Sequence, residues 1–96
     1  MYRSVLITPD GQETHREHKT VRESWDAAKA DVGDMFDVFW GVYDEKLRMV
    51  LVDDNGHAKN LPRNERATEL YREGSAYPTS HFIVGNAVVL LDEELW

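Results

Sequence analysis

The sequence predicts an α+β domain of two layers, a mostly antiparallel sheet of about five strands with two helices covering one face. Three observations carry that expectation. Two segments, 22–33 and 64–74, repeat apolar residues at helical spacing and run into a glycine. The β-prone segments elsewhere are short and joined by turn residues, which favours hairpins. The most apolar run, "HFIVGNAVVLL" (81–91), has the length and composition of a buried strand. At 96 residues the chain has room for one domain and one core, spanning 1–96.

"YRSVLIT" (2–8) is the first β-prone segment, and "TPDGQ" (8–12) turns it. "ETHREHKTV" (13–21) follows as a more exposed strand, giving a hairpin around Asp10-Gly11. In "RESWDAAKADVG" (22–33), Trp25, Ala28 and Val32 share one helical face and Gly33 is the stop. "MFDVFWGVYDEKL" (35–47) changes to an extended period, "DEK" (44–46) turns it, and "RMVLVDD" (48–54) is the next strand. Asn55-Gly56 signals a tight type I′ turn. Pro62 keeps Leu61 out of helix, so the second helix starts after it, capped by Asn64, with Ala67, Leu70 and Tyr71 on one face. "SAYPTS" (75–80) is a loop anchored by Pro78. Gly85-Asn86 marks a bulge or a close approach of backbones within the last strand, and 91–96 is a flexible acidic tail ending in Trp96.

Composition narrows the function classes. Hydrophobic residues at 42% with charged residues at 30% suit a folded domain rather than a disordered one. A net charge of −7 repels phosphate backbones and disfavours nucleic acid as a partner. Without cysteine there is no disulfide framework, thiolate nucleophile or Cys-ligated zinc. The opening "MYRSVLITPDGQ" is unlike a signal peptide, and no apolar run approaches the roughly 20 residues that span a bilayer. The expected location is the cytoplasm.

Catalytic and metal motifs are weak. His15 and His18 in "HREHK" are three residues apart, not the four of a zinc-binding helix, and on a strand they face opposite ways. Asp53, Asp54, Asn60 and Asn64 lack the ordered oxygen spacing of a calcium loop. Thr79, Ser80 and His81 are adjacent but belong to no nucleophile elbow, and no phosphate-binding glycine loop or dinucleotide fingerprint is present. Arg63, Arg66 and Arg72 sit among Glu65, Glu69 and Glu73, as on a solvated helix face. No enzyme, metal or cofactor is expected.

Three stretches, "DVGDMFDVF" (31–39), "VLVDDNGHAKNLPRNERAT" (50–68) and "FIVGNAVVL" (82–90), occur in the order of a known pattern. The chain resembles the family catalogued as domain of unknown function number 3846, small proteins of bacteria, phages and plasmids. "LPRNERAT" is the most specific piece, whereas Asp34 stands where the pattern has a second glycine. The resemblance covers roughly residues 2 to 91. It implies one compact α+β domain of phage or mobile-element origin, and it brings no catalytic residues.

The functional expectation rests on aromatic placement. "MFDVFWGVYDEKLRMV" carries bulky apolar groups on both faces of a strand, and a two-layer domain covers only one of them. That leaves Phe39, Trp40 and Tyr43, together with Trp96, as anchors for a host protein, or for a second copy in a homodimer, with acidic residues at the rim. The alternative is a nucleotide-like small ligand held between the sheet and the 64–74 helix by Arg63, Asn64 and Asn86.

Overall fold

The structure, a computed structural model, describes residues 1–76 and 79–96. Five strands, β1 (Tyr2–Ile7), β2 (Glu13–His18), β3 (Phe36–Tyr43), β4 (Lys46–Asp53) and β5 (Ala87–Leu90), form one antiparallel sheet in the order β2-β1-β5-β4-β3. Two helices, α1 (Val21–Val32) and α2 (Glu65–Gly74), complete the α+β domain.

The layer count differs from expectation, because the helices take opposite faces. Ala87 and Val89 of β5 pack with Val5, Ile7, Val50 and Val52 beneath Ala67 and Leu70 of α2. Val88 and Leu90 pack with Leu51 beneath Ala28 and Val32 of α1. The sheet is therefore the middle of three layers, and β5 is buried at every residue. A continuous apolar run such as "AVVL" is what a strand covered on both faces requires, since alternation would put polar groups into one core.

Thr20 caps α1, accepting a bond from the Glu23 backbone N–H (3.1 Å), while Glu23 accepts from the Lys19 N–H (3.0 Å). Together these two bonds fix the first turn, with Val21 in the helix rather than in the preceding strand. Gly33 ends α1 as expected, with φ of 103°.

The type I′ turn lies elsewhere than expected. Asp44 and Glu45, with φ of 53° and 66°, close the β3–β4 hairpin in two residues. Asn55 and Gly56 have no positive φ, and the chain from 53 to 61 winds through successive turns. Asp53 organises that winding, one carboxylate oxygen accepting the Asn55 N–H (2.8 Å) and the other the Lys59 ammonium (2.7 Å). The Lys59 bond holds the Asp53 carboxyl below its ordinary range.

The expected close approach of backbones at Gly85 is present, its N–H reaching Pro62 O (2.7 Å) at a φ of 76°, but Gly85-Asn86 precede β5, because only 87–90 of the expected 81–91 strand pairs into the sheet. Pro78, the expected anchor of the 75–80 loop, lies outside the described residues. The tail is held rather than flexible. Glu93–Leu95 form a 3-10 turn, Leu95 is buried, and its carbonyl accepts the Trp25 indole N–H (3.0 Å).

Asn64 joins these parts. It is fully buried, and its side-chain oxygen caps α2 by accepting the Ala67 N–H (3.0 Å). Its Nδ2 donates to the carbonyls of Ile7 (3.0 Å) and Gly85 (2.8 Å). Its backbone N–H donates to Ile83 O, and its carbonyl accepts the Thr68 hydroxyl, which in turn accepts the Ile83 N–H. Replacing Asn64 by alanine strands two carbonyls and one amide in the core, a cost of about 3 kcal/mol. Urea denaturation of Asn64→Ala should show that loss, and Asn64→Asp, which keeps the cap acceptor but not the donor, should lose most of it. Asn86→Ala, which removes one half-buried bond to Asp31 O, should cost about 1 kcal/mol or less.

Candidate functional site

β3 is an edge strand, and its alternation sorts its aromatic residues onto different faces. Phe39 and Tyr43 point to the α2 side. Phe39 meets Tyr71 edge-on (5.1 Å between ring centroids), and Tyr43 is buried in the core. Trp40 points to the α1 side, next to Met49 of β4. The four expected anchors are therefore not one row, and only Trp40 and Trp96 meet, edge to face at 5.1 Å.

α1 packs over β1, β5, β2 and β4 and leaves most of β3 open. Val38 is 42% exposed, Trp40 48%, Leu47 54% and Trp96 37%. Val38, Trp40 and Leu47 share one face of the β3–β4 hairpin, and Trp96 is fixed beside Trp40 by a bond from its indole N–H to Leu90 O (2.9 Å). Glu93 and Glu94 border Trp96 and Leu47, and Arg3, Lys46 and Arg48 line the same groove. The rim is thus mixed, with acid on the Trp96 side.

The backbone edge of β3 is less open than this side-chain face. With a two-residue turn, Tyr43 and Lys46 form a hydrogen-bonded pair, so Val38 and Trp40 direct their N–H and C=O away from β4. The Val38 N–H is taken by Asp37 Oδ1 (2.9 Å), and Gly74 of α2 rests on the Trp40 carbonyl, where a Cβ would collide. An added strand meets both obstacles, so apolar contact on the Trp40 face is the accessible mode.

The residues expected to hold a small ligand do not converge. Asn64 is spent in the core, Asn86 Nδ2 donates to Asp31 O, and Arg63 lies 4.7 Å over the Phe82 ring while pairing with Glu65 (2.6 Å). His15 and His18 take opposite faces, as their spacing requires, His18 Nε2 lying 3.1 Å from the buried Ser4 hydroxyl. The Thr79 hydroxyl accepts the His81 N–H, a local turn contact. Among the described residues no group of three or more His, Asp or Glu could hold a metal ion.

Two hollows went unforeseen, both on the α2 side. One, of about 390 Å³, is lined by Asp37, Phe39, Asp54, His57, Tyr71 and His81. His57 and His81 come within 5.5 Å there, though nothing in their separation along the chain announces it. The other, of about 340 Å³, gathers Arg3, His15, Tyr43, Arg48 and Arg66 with Asp44. No helix among the described residues is long and apolar enough to cross a membrane.

Compared with known proteins, the chain matches no family model, no curated protein and no solved structure. Geometry and chemistry alone therefore bear on function.

Tyr43 supplies a solution test of this side of the sheet. Burial, and then its hydrogen bond to Glu13 (2.8 Å), push its phenol up to about 12. The folded protein favours the protonated phenol, so the associated stability is intact below pH 10, where an unfolded tyrosine titrates, and is lost as pH rises towards 12. Absorbance titration should show a late-ionising phenol, and stability should fall between those limits. Tyr43→Phe should abolish the late step and flatten that part of the fall.

Proposed function

We propose that the protein is a non-enzymatic adaptor that docks onto another protein through the Trp40 face of β3. The observation that carries this reading is the pair of half-exposed indoles, Trp40 and Trp96, packed edge to face and flanked by exposed Val38 and Leu47. Tryptophans fixed in place lose little entropy on binding and are the residues that most often dominate interfaces. Glu93 and Glu94 at one rim, in a protein of net charge −7, favour a partner with an apolar anchor beside lysine or arginine.

On this reading the partner is a host protein, the gene belongs to a phage or mobile element as the resemblance to family 3846 suggests, and the protein works in the cytoplasm. The residues behind the resemblance fit such a role. Asn64, Ala67 and Thr68 of "LPRNERAT" and Ile83 and Gly85 of "FIVG" bond or pack to one another inside the domain, so these stretches serve the fold and leave the Trp40 face to carry the function.

Capture from host lysate should retain a partner on wild-type protein and lose it on Trp40→Ala, once circular dichroism shows both folded. The direct affinity should fall by about tenfold or more, the effect of a central aromatic anchor. Equal binding by a folded Trp40→Ala protein would overturn the assignment. Sedimentation that shows a dimer dissociated by Trp40→Ala would give the face to a second copy instead.

A further inference from the structure

Arg48 is the half-buried arginine whose charge nothing in the fold answers. Arg16 pairs with Asp31 (2.6 Å) and Arg66 with Glu13 (3.4 Å), whereas among the described residues no carboxylate lies within ion-pair distance of Arg48. Its Nη1 donates to Leu91 O (2.5 Å), and its Nε is buried with no partner among the described residues. A guanidinium held out of water with an unused N–H is destabilising unless an acceptor is supplied.

The register explains why cations gather at this place. β5 ends at Leu90, which pairs with Ser4 on one side and Met49 on the other. The next position across the sheet therefore sets Arg3, Leu91 and Arg48 in a row, with the two arginine backbones about 10 Å apart. Arg3 and Arg48 lie on the α2 face, since Val5 and Val50, two residues along their strands, lie in that core. His15 and Tyr43 reach the same hollow of about 340 Å³ from β2 and β3, and Arg66 from α2, with the Tyr43 hydroxyl 3.4 Å from His15 Nε2.

We propose that this hollow is an oxyanion site that takes the phosphoryl group of a phosphate monoester, with Arg48 as its principal donor and Arg3, Arg66 and His15 around it. A planar guanidinium with a fixed, partly used fork is the group best suited to a tetrahedral oxyanion. Three carboxylates adjoin the site, and one of them, Asp92, already pairs with the exposed Arg3 (3.4 Å), which leaves Arg48 as the cation without a carboxylate partner. Glu13 is occupied, one oxygen by the Tyr43 hydroxyl and the other by Arg66 Nε. Asp44 lines the hollow from the hairpin turn, forms no ion pair among the described residues, and opposes an anion. The Tyr43 phenol stays protonated through the neutral range and adds no negative charge. Arg3 and Arg48 also border the groove beside Trp96 and Leu47, so the two readings are separated by their readouts: phosphate titration for this site and partner capture by Trp40→Ala for the docking face.

The test is calorimetric titration of the full chain with inorganic phosphate, adenosine monophosphate and adenosine, at constant ionic strength. Inorganic phosphate should bind at millimolar concentration or tighter, and Arg48→Met should weaken it by about tenfold or more, the loss of a charge-assisted contact. Asp44→Asn should tighten it. Asparagine suits the positive φ of that turn position, so this variant keeps the fold even where Arg48→Met does not. Equal affinity for inorganic phosphate and the nucleotide would assign the site to the bare oxyanion, and tighter nucleotide binding would assign it to a nucleotide phosphate. No phosphate binding to the wild type, unchanged binding in both variants, or adenosine binding as tightly as its monophosphate would overturn the proposal.

Discussion

One buried side chain, Asn64, decides how the rest of the chain can be arranged. A fully buried amide has to spend its donors and its acceptor inside the protein, and each of its bonds reaches a different segment. Its oxygen starts α2, one N–H holds the end of β1, and the other holds the turn before β5. With Thr68 relaying a further bond from Ile83, the start of α2 is fixed against two strands that are adjacent in space and far apart in sequence. A domain of this size has a total stability on the order of 5–15 kcal/mol, so a junction that costs about 3 kcal/mol to open is a large part of it.

The arrangement of surfaces follows from that junction. Once its first turn is fixed over β1 and β5, α2 runs across Gly41, where a Cβ would lie 3.0 Å from Leu70 Cβ, and ends with Gly74 on the Trp40 carbonyl. α2 thereby covers one side of β3 and part of its backbone edge. α1 is centred over the other strands and leaves the opposite side of β3 bare, where Trp96 comes back to meet Trp40. The corner beyond the end of β5 is reached from α2 by Arg66, and the other arginines, Arg3 and Arg48, gather there from the strands. The two candidate surfaces are what a five-stranded sheet leaves over when one short helix lies on each face.

Much of this was legible in the sequence, and the misses have physical causes. The strands, both helices and the Asn64 cap follow from local chemistry: periodicity, turn residues and capping. The apolar run through β5 already implied cover on both sides, but pairing that cover with one helix per face is a long-range fact. The type I′ turn formed at Asp44-Glu45 because an eight-residue pairing of β3 with β4 outweighs weak local preference, while Asn55-Gly56 serves a wider winding around Asp53. Trp40 was legible as part of a strand with bulky apolar groups on both faces, and Trp96 as an aromatic residue behind an acidic tail. That Phe39 and Tyr43 face the other way follows from strand alternation, once β3 is known to be a strand through all of these positions. The Arg3–Arg48 corner could not be read, because it depends on where β5 stops relative to its neighbours.

Native-state hydrogen exchange on the protein alone tests the central dependence on Asn64 most directly. The amides of Asn64, Ala67, Ile83 and Gly85 should exchange only through global unfolding, at a common free energy shared with β5. The outward amides of β3, at Val38 and Trp40, should open at lower cost. Exchange of the Asn64 group at a lower free energy than β5, with α2 opening while the sheet stays closed, would contradict the claim that this junction holds the fold together.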